Sequence, residues 1–300
     1  MRAMLLAAGR GSRLKALTEE RAKPAVPFAN RPMAAVALGA LARAGVTEIV
    51  VNTHHLPATV ERALSPIAPV GVALRFVVEE ELLGTGGGIA NVAEWLAEPE
   101  QPVFVMNSDV LFEPDLAAVR RVHDESNAFA TMVVRADERA ERFGAVWVHD
   151  GRVRGIDGTS APKPETDAGT GRVFTGVHVL SPGALRSLPR RGCVVRQGYA
   201  DWLNAGETIA GALATEPWED LGTPERYLAA HRDEADRSNP IDPSARIDSG
   251  ATLQESWVGA GATIGPVTLR RVVVWDGATV DEDLEDAIVT SEGRVVQASE

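Results

Sequence analysis

The chain of 300 residues is 45% hydrophobic and carries 42 acidic against 30 basic residues, a formal net charge of −12. That length suits about two domains with full cores, at roughly 100–200 residues each, while the negative total opposes attraction to nucleic-acid or membrane phosphates and excludes a general polyanion binder. One cysteine, Cys193, excludes an internal disulfide or a cysteine metal cage, and the apolar run Met4–Ala8 is too short for a signal core or a membrane span, so a cytoplasmic protein is expected.

From Met1 to about Met106, short apolar runs alternate with longer amphipathic stretches. Ala3–Ala8, Glu48–Asn52, Ala73–Val78 and Val103–Met106 read as strands buried on both faces. Between them, Pro32–Ala44, Pro57–Leu64 and Gly88–Leu96 carry helical spacing, with proline at or near helix starts where its missing N–H costs least. Strand and helix in alternation imply right-handed crossovers and a parallel sheet covered on both faces, a doubly wound α/β fold. A helix over Asp115–Ser126 is followed by strands at Ala130–Val134, Ala145–His149 and Arg152–Ile156, with His149-Asp150-Gly151 as a hairpin turn. Val173–Leu180 and Ile209–Ala214 read as later strands, which makes the sheet mixed at its edges though mainly parallel. A last helix spans Pro224–Arg237.

Beyond that helix the pattern changes. Ile241, Ile247 and Leu253 recur at intervals of six, as do Val258 and Ile264 and, after an interruption, Val274 and Val280. Asp or Gly usually follows each, and a small residue stands at the fifth place, as in Ile247-Asp-Ser-Gly-Ala. A six-residue period of this kind predicts one face of a triangular parallel β-helix per hexad, here two to three coils, with the aliphatic residue pointing inward. The domains expected are therefore 1–237, carrying the chemistry, and 238–300, a short appendage.

Three segments carry chemistry. The first strand runs into Gly9-Arg10-Gly11-Ser12-Arg13-Leu14, and ten residues beyond Arg13 stand Lys23-Pro24. Glycines let backbone N–H groups converge on phosphate oxygens, and Arg13 and Lys23 add full charge. A dinucleotide fingerprint needs a third glycine where Leu14 stands, a P-loop needs Gly-Lys-Ser/Thr, and a plain surface loop is the remaining reading. Lysine is otherwise rare: Lys15, Lys23 and Lys163 are the only three, the rest of the cations being arginine. The fourth strand ends in Asn107-Ser108-Asp109, at the carboxyl edge where open α/β sheets bind ligands. A carboxylate facing triphosphate oxygens calls for a bridging Mg²⁺, which takes one or two carboxylates plus phosphates and water. Asp220, in Trp218-Glu219-Asp220-Leu221-Gly222-Thr223-Pro224, is either a second such ligand or a dipole partner of the helix it precedes. The run Glu79-Glu80-Glu81-Leu82-Leu83-Gly84-Thr85-Gly86-Gly87-Gly88 suggests a flat ligand lying against bare backbone, or a permissive helix entry.

Taken together, these pieces resemble the sugar-1-phosphate nucleotidylyltransferases, most closely those of the mannose-1-phosphate guanylyltransferase type. The resemblance covers most of Met1–Arg237. It rests on Gly9, Gly11, Ser12, Arg13, Leu14, Lys23 and Pro24, on Leu-Gly-Thr-Gly-Gly from Leu83, on Asp109, Phe143-Gly144 and Phe174-Thr175-Gly176-Val177, and on Trp218-x-Asp220-x-Gly-Thr-Pro; hexapeptide tails also follow many family members. It implies a Rossmann-like nucleotidyltransferase fold with a C-terminal left-handed parallel β-helix. It also implies attack of a sugar 1-phosphate on the α-phosphorus of a nucleoside triphosphate, with release of pyrophosphate. By the same resemblance Asp109 and Asp220 hold Mg²⁺, Arg13 with Gly11 and Ser12 stabilises the leaving pyrophosphate, and Lys23 neutralises charge near the α-phosphate. Ala7, Ala8, Gly9, Gly84 and Thr85 receive the nucleotide, with Glu79 accepting from a base N–H. Gly144, Lys163, Thr175 and Gly176 line the sugar-phosphate site.

The chain departs from the family pattern in two places. Ser108 stands where Gly is common, and Lys163-Pro164 is preceded by Pro162, where the family usually has the Glu that holds sugar hydroxyls. GTP with mannose 1-phosphate is the favoured substrate pair. The alternatives are UTP or dTTP with glucose or N-acetylmuramic acid phosphate, and a catalytically silent subunit that binds a nucleotide sugar. An acyltransferase working through the coils is disfavoured, because the last histidine, His231, precedes them. The expected partners are the two substrates, with neither nucleic acid nor membrane, and further copies of the chain joined through the tail.

Overall fold

In the computed structural model, residues 1–14, 16–161, 170–234 and 240–298 are described. The chain forms two compact units, one of Met1–Gly9, Val36–His55 and Ser65–Trp218, the other of Arg10–Ala35, Leu56–Leu64 and Glu219–Glu300. The expected boundary at residue 237 lies outside the described residues.

The first unit is built on nine strands: β1 (Arg2–Leu6), β2 (Glu48–Thr53), β3 (Ala73–Val78), β4 (Val103–Asn107), β5 (Ala130–Arg135), β6 (Val146–His149), β7 (Arg152–Ile156), β8 (Thr170–Leu180) and β9 (Ile209–Ala214). They lie in the order β3-β2-β1-β4-β8-β5-β9-β7-β6. The strands β3, β2, β1 and β4 are parallel, as the alternation of apolar runs and helices requires. From β8 onward only β5 and β9 pair in parallel, and every other junction is antiparallel. The sheet is therefore mixed, and a mainly parallel sheet describes its first half only. The β6–β7 hairpin turns through Asp150 and Gly151, both at positive φ (47° and 71°), the backbone that two-residue hairpin loops favour.

Two expectations are corrected. Strand β3 is not buried on both faces: it is the edge of the sheet, Ala73, Arg75 and Val78 are exposed, and one neighbour alone covers it. The helix expected over Gly88–Leu96 is two helices, Gly84–Ala90 and Ala93–Ala97, because Val92 leaves the helical region at φ −121°. Asp115 caps the next helix, its side chain accepting from the Ala118 N–H at 2.9 Å.

In the second unit, the C-terminal strands pair in parallel ladders whose partners stand 15 to 17 residues apart. Ile247, Ile264 and Val280 stack in one ladder and Leu253, Leu269 and Leu284 in another. Ile241, Val258, Val274 and Val289 form a third. The small residues Ala262 and Ala278 are buried with these aliphatics, so one apolar interior runs along the ladders. Val295–Gln297 closes the run antiparallel to Leu284–Val289. The helix Pro224–Glu234 belongs to the same unit. Its Tyr227 hydroxyl accepts from Trp275 Nε1 at 3.1 Å and donates to the Pro27 carbonyl. Its His231 carbonyl accepts from Trp257 Nε1 at 2.9 Å. His231 Nδ1 donates to the Tyr227 carbonyl and its Nε2 accepts from the Ala29 N–H, a neutral tautomer kept so by burial, which pushes its pKa down to about 4. Among the described residues, no helix is long and apolar enough to cross a membrane.

Candidate active site

In the first unit, parallel register brings the carboxyl ends of β1, β2 and β4 to one edge, where Leu6 lies opposite both Asn52 and Asn107. The chain leaving β1 is held there by uncharged contacts. The Ala7 N–H donates to Asn52 Oδ1 at 2.9 Å, and the Leu6 carbonyl accepts from the Ser108 hydroxyl at 2.7 Å. Ala7 and Ala8 are buried, whereas Gly9 is exposed and nothing would lie within 4 Å of a Cβ there. Asp109 follows Ser108 at the same edge and is partly buried.

Glu79, immediately beyond β3, is 3% exposed. One carboxylate oxygen accepts from Asn52 Nδ2 at 2.7 Å and the other from the Leu83 N–H at 3.0 Å. Glu79 thus orients Asn52, and Asn52 orients Ala7, a brace that ties three strand ends together. The glycine run beside it forms the first turns of a helix, and its bareness makes room for neighbouring protein groups. A Cβ at Gly84 would stand 2.6 Å from the Gly192 carbonyl oxygen, one at Gly87 2.7 Å from that of Arg190, and one at Gly88 2.7 Å from both Glu79 and Asn52. The Gly86 N–H donates to the Gly192 carbonyl, and the Thr85 hydroxyl accepts from the Val194 N–H.

Along β8, Gly176 has φ +86° and sits so close to Asn107 that a Cβ would come within 2.7 Å of its amide nitrogen. Thr175 beside it is fully buried, and its hydroxyl donates to the Val133 carbonyl at 2.8 Å, so that side chain points into the core. Gly144, at φ +87°, ends the short helix Ala140–Phe143. Lys163 lies outside the described residues.

The second unit gathers charge. Asp220, 8% exposed, faces Lys23 Nζ at 3.6 Å, Arg13 Nη2 at 3.3 Å and Arg226 Nη1 at 3.8 Å. Lys23 is itself 5% exposed, whereas the Arg13 side chain is 62% exposed. A carboxylate and an ammonium leave water together only as partners, since either alone would carry an uncompensated desolvation penalty. Gly11, at φ +64°, lets the loop pass Thr18 and Lys23, where a Cβ would sit 2.9 Å from the threonine methyl. Ser12 and Arg13 form a single 3-10 turn with Leu14, whose N–H donates to the Gly11 carbonyl. Gly222 serves the cluster from the other side: a Cβ there would lie 2.6 Å from Arg13 Nη1. The guanidinium therefore rests on bare backbone.

In the second unit the structure brings Arg13, Lys23 and Asp220 together and adds Arg226, with Gly222 against Arg13; in the first unit it adds Asn52. Arg226 stands in the first turn of the helix after Asp220, and only the fold shows that it points back. Gly222 and Asn52 were legible in principle, one as a glycine inside a charged motif, the other as a polar residue ending an otherwise apolar strand. Among the described residues, no three Asp, Glu, His or Cys side chains converge on a point. Mg²⁺ arriving with a triphosphate does not require three, because phosphate and water oxygens complete its shell, and single carboxylates such as Asp109 and Asp220 are the donor type it takes.

The nucleotidyl transferase family model matches residues 2–237. The mannose-1-phosphate guanylyltransferase of Mycobacterium tuberculosis is 33% identical over 93% of this chain and 81% of its own length. The mannose-1-phosphate guanyltransferase of Schizosaccharomyces pombe is 32% identical over 84% of this chain and 73% of its own. Among solved structures, HddC from Yersinia pseudotuberculosis, complexed with GMP-PN, covers 76% of this chain with a TM-score of 0.61 at 24% identity, a likeness of fold.

Proposed function

The chain belongs to the nucleotidyl transferase family, and from that premise we propose that it joins GTP to mannose 1-phosphate, making GDP-mannose and pyrophosphate. A phosphate oxygen of the sugar 1-phosphate attacks the α-phosphorus; the new P–O bond forms as the bond to the bridging β-phosphate oxygen breaks, and that oxygen leaves with the electron pair as pyrophosphate. Two polyanions must meet, so positioning and charge neutralisation are the main demands on the protein.

The observation that carries the reading is the Arg13–Lys23–Asp220–Arg226 cluster, three cations fixed around one carboxylate in a protein of net charge −12. Arg13, largely exposed and seated on Gly222, is suited to follow the leaving pyrophosphate, with the Gly11 and Ser12 backbone beside it. Lys23, buried and compact, is suited to the crowded α-phosphate, where a guanidinium fork would not fit the same space. Asp109 and Asp220 would hold Mg²⁺, which when bound supplies charge neutralisation across the phosphates. Ala7, Ala8, Gly9, Gly84 and Thr85 receive the nucleotide. Glu79, with both oxygens engaged, serves that end by holding Asn52 and, through it, Ala7. Gly144, Gly176 and Lys163 are assigned to the sugar phosphate, and Thr175 to setting the position of Gly176.

We assign residues 1–237 to the chemistry and residues 238–300 to a left-handed parallel β-helix through which copies of the chain assemble. The test is a panel: the purified protein with Mg²⁺, each of GTP, UTP and dTTP, and mannose, glucose and N-acetylmuramic acid 1-phosphates, with pyrophosphate release followed and the product weighed by mass spectrometry. Turnover is expected to be highest with GTP and mannose 1-phosphate. Faster turnover of another pair would reassign the substrates, and binding of GDP-mannose without turnover of any pair would identify a regulatory subunit.

A further inference from the structure

Within the second unit, the segment carrying Lys23 is fastened to the C-terminal strands. Arg21, two residues before Lys23, makes a two-pronged pair with Asp276, Nη1 to Oδ1 and Nη2 to Oδ2 each at 2.8 Å, and donates to the Ser291 hydroxyl at 2.6 Å. Its guanidinium also lies over the Trp275 ring, 5.4 Å from the centroid. On the preceding turn, Glu20 accepts from the Thr290 hydroxyl and the Glu292 N–H, and Glu19 pairs with Arg294. Beyond Lys23, Pro27 accepts from Tyr227, whose hydroxyl is held by Trp275. Lys23 is thus bracketed by contacts that converge on Trp275 and Asp276.

The sequence around those two residues departs from its own repeat. In the ladder Ile241, Val258, Val274 and Val289, the two places after the aliphatic hold Asp242-Pro243, Gly259-Ala260 and Thr290-Ser291, whereas Trp275-Asp276 follows Val274. The corner that in the rest of this ladder carries smaller residues carries here an indole and a carboxylate, the two side chains that engage Arg21. An ordinary surface ion pair contributes little. This one is bidentate, shares its arginine with a ring and a hydroxyl, and adjoins a 5%-exposed lysine whose 3.6 Å approach to Asp220 depends on the path of the backbone.

We propose that Asp276 is a positioning residue for the reaction: acting through Arg21, it fixes Lys23 against Asp220, so that the C-terminal strands contribute to turnover and not to assembly alone. The inference rests on the role given to Lys23 above. Asp276→Ala suits the test because Ala260 occupies the equivalent corner without harm. The three lysines supply a readout independent of turnover, namely selective labelling of Lys23 by an amine-reactive reagent, followed by peptide mass spectrometry.

Asp276→Ala is expected to lower kcat by about tenfold, within the ~100-fold that small misplacements of reacting groups can cost, with KM for both substrates within about twofold. Lys23 labelling should rise severalfold, Asp276→Glu should restore both measures, and Arg21→Ala combined with Asp276→Ala should be no worse than either alone. Unchanged kcat and unchanged Lys23 labelling in Asp276→Ala would overturn the inference, as would additive losses in the double variant. Raised labelling in a protein whose wild type turns over no substrate pair would support the fastening of Lys23 and overturn the catalytic reading instead.

Discussion

The two groups of site residues solve opposite problems. In the first unit, Glu79, Asn52 and Ala7 form a brace in which one carboxylate is spent on an amide and a backbone N–H, and bare glycines let another stretch of backbone come within hydrogen-bonding distance. In the second, Asp220 is surrounded by Lys23, Arg13 and Arg226, and the glycines at 11 and 222 make room for charged side chains instead of for backbone. The brace fixes shape; the cluster fixes charge. On the proposed reading, the cluster is what lets a protein with so negative a total meet a polyanion.

Substitutions that exchange these characters should have graded effects. Asp220→Ala strikes hardest, because it leaves Lys23 buried without this carboxylate. Activity should fall by about 10²–10³-fold, typical of losing one electrostatic stabiliser, and stability by about 3–5 kcal/mol, as for breaking a buried pair; steady-state kinetics and denaturant melts would measure these. Gly222→Ala should cost about tenfold in kcat/KM, up to ~100-fold, by lifting Arg13 from its seat, with an unchanged melting temperature; a normal kcat/KM would show that Arg13 has other positions that serve as well. Glu79→Gln turns one accepting oxygen into a donor facing Asn52 or Leu83. It should lower stability by about 1–3 kcal/mol while reducing turnover only severalfold, the reverse of the Gly222 result. Equal kinetic and stability losses at both positions would erase the distinction between brace and cluster.

Acid should weaken both units gradually. Burial holds His178 at about 3 and holds His123 and His231 at about 4, all below the ordinary 6.5. The unfolded chain therefore takes up protons first as pH falls. Stability from this source is complete above about pH 6.5 and declines toward pH 4, with a slope of up to about 1.4 kcal/mol per pH unit for each histidine. Melting curves between pH 7 and pH 4.5 would show it, and a melting temperature that rose on acidification would contradict the neutral tautomer drawn for His231.

Much of this was legible in the sequence, for identifiable reasons. The parallel strands β1, β2 and β4 announced themselves because burial on both faces leaves unbroken apolar runs, and the His149-Asp150-Gly151 turn because its backbone needs such residues. Strand β3 misled for the same reason: its apolar run is as dense as a central strand's, and only the order of strands shows it to be an edge. The glycine run from Gly84 stands out in the sequence without its cause, since the carbonyls of Arg190 and Gly192 that it faces lie a hundred residues away. Arg13, Lys23 and Asp220 were found as motifs, yet their convergence joins residues some two hundred apart. Nothing local marks Arg226 as the fourth member.

On the proposed reading, the compact ammonium at residue 23, seated against Asp220, performs a task that charge alone cannot. The direct test is the kcat of Lys23→Arg with GTP and mannose 1-phosphate, measured on protein whose melting temperature matches the wild type. Turnover is expected to be at least about tenfold lower, since a planar fork cannot occupy the buried site of a point charge. Wild-type turnover in that variant would contradict that reading.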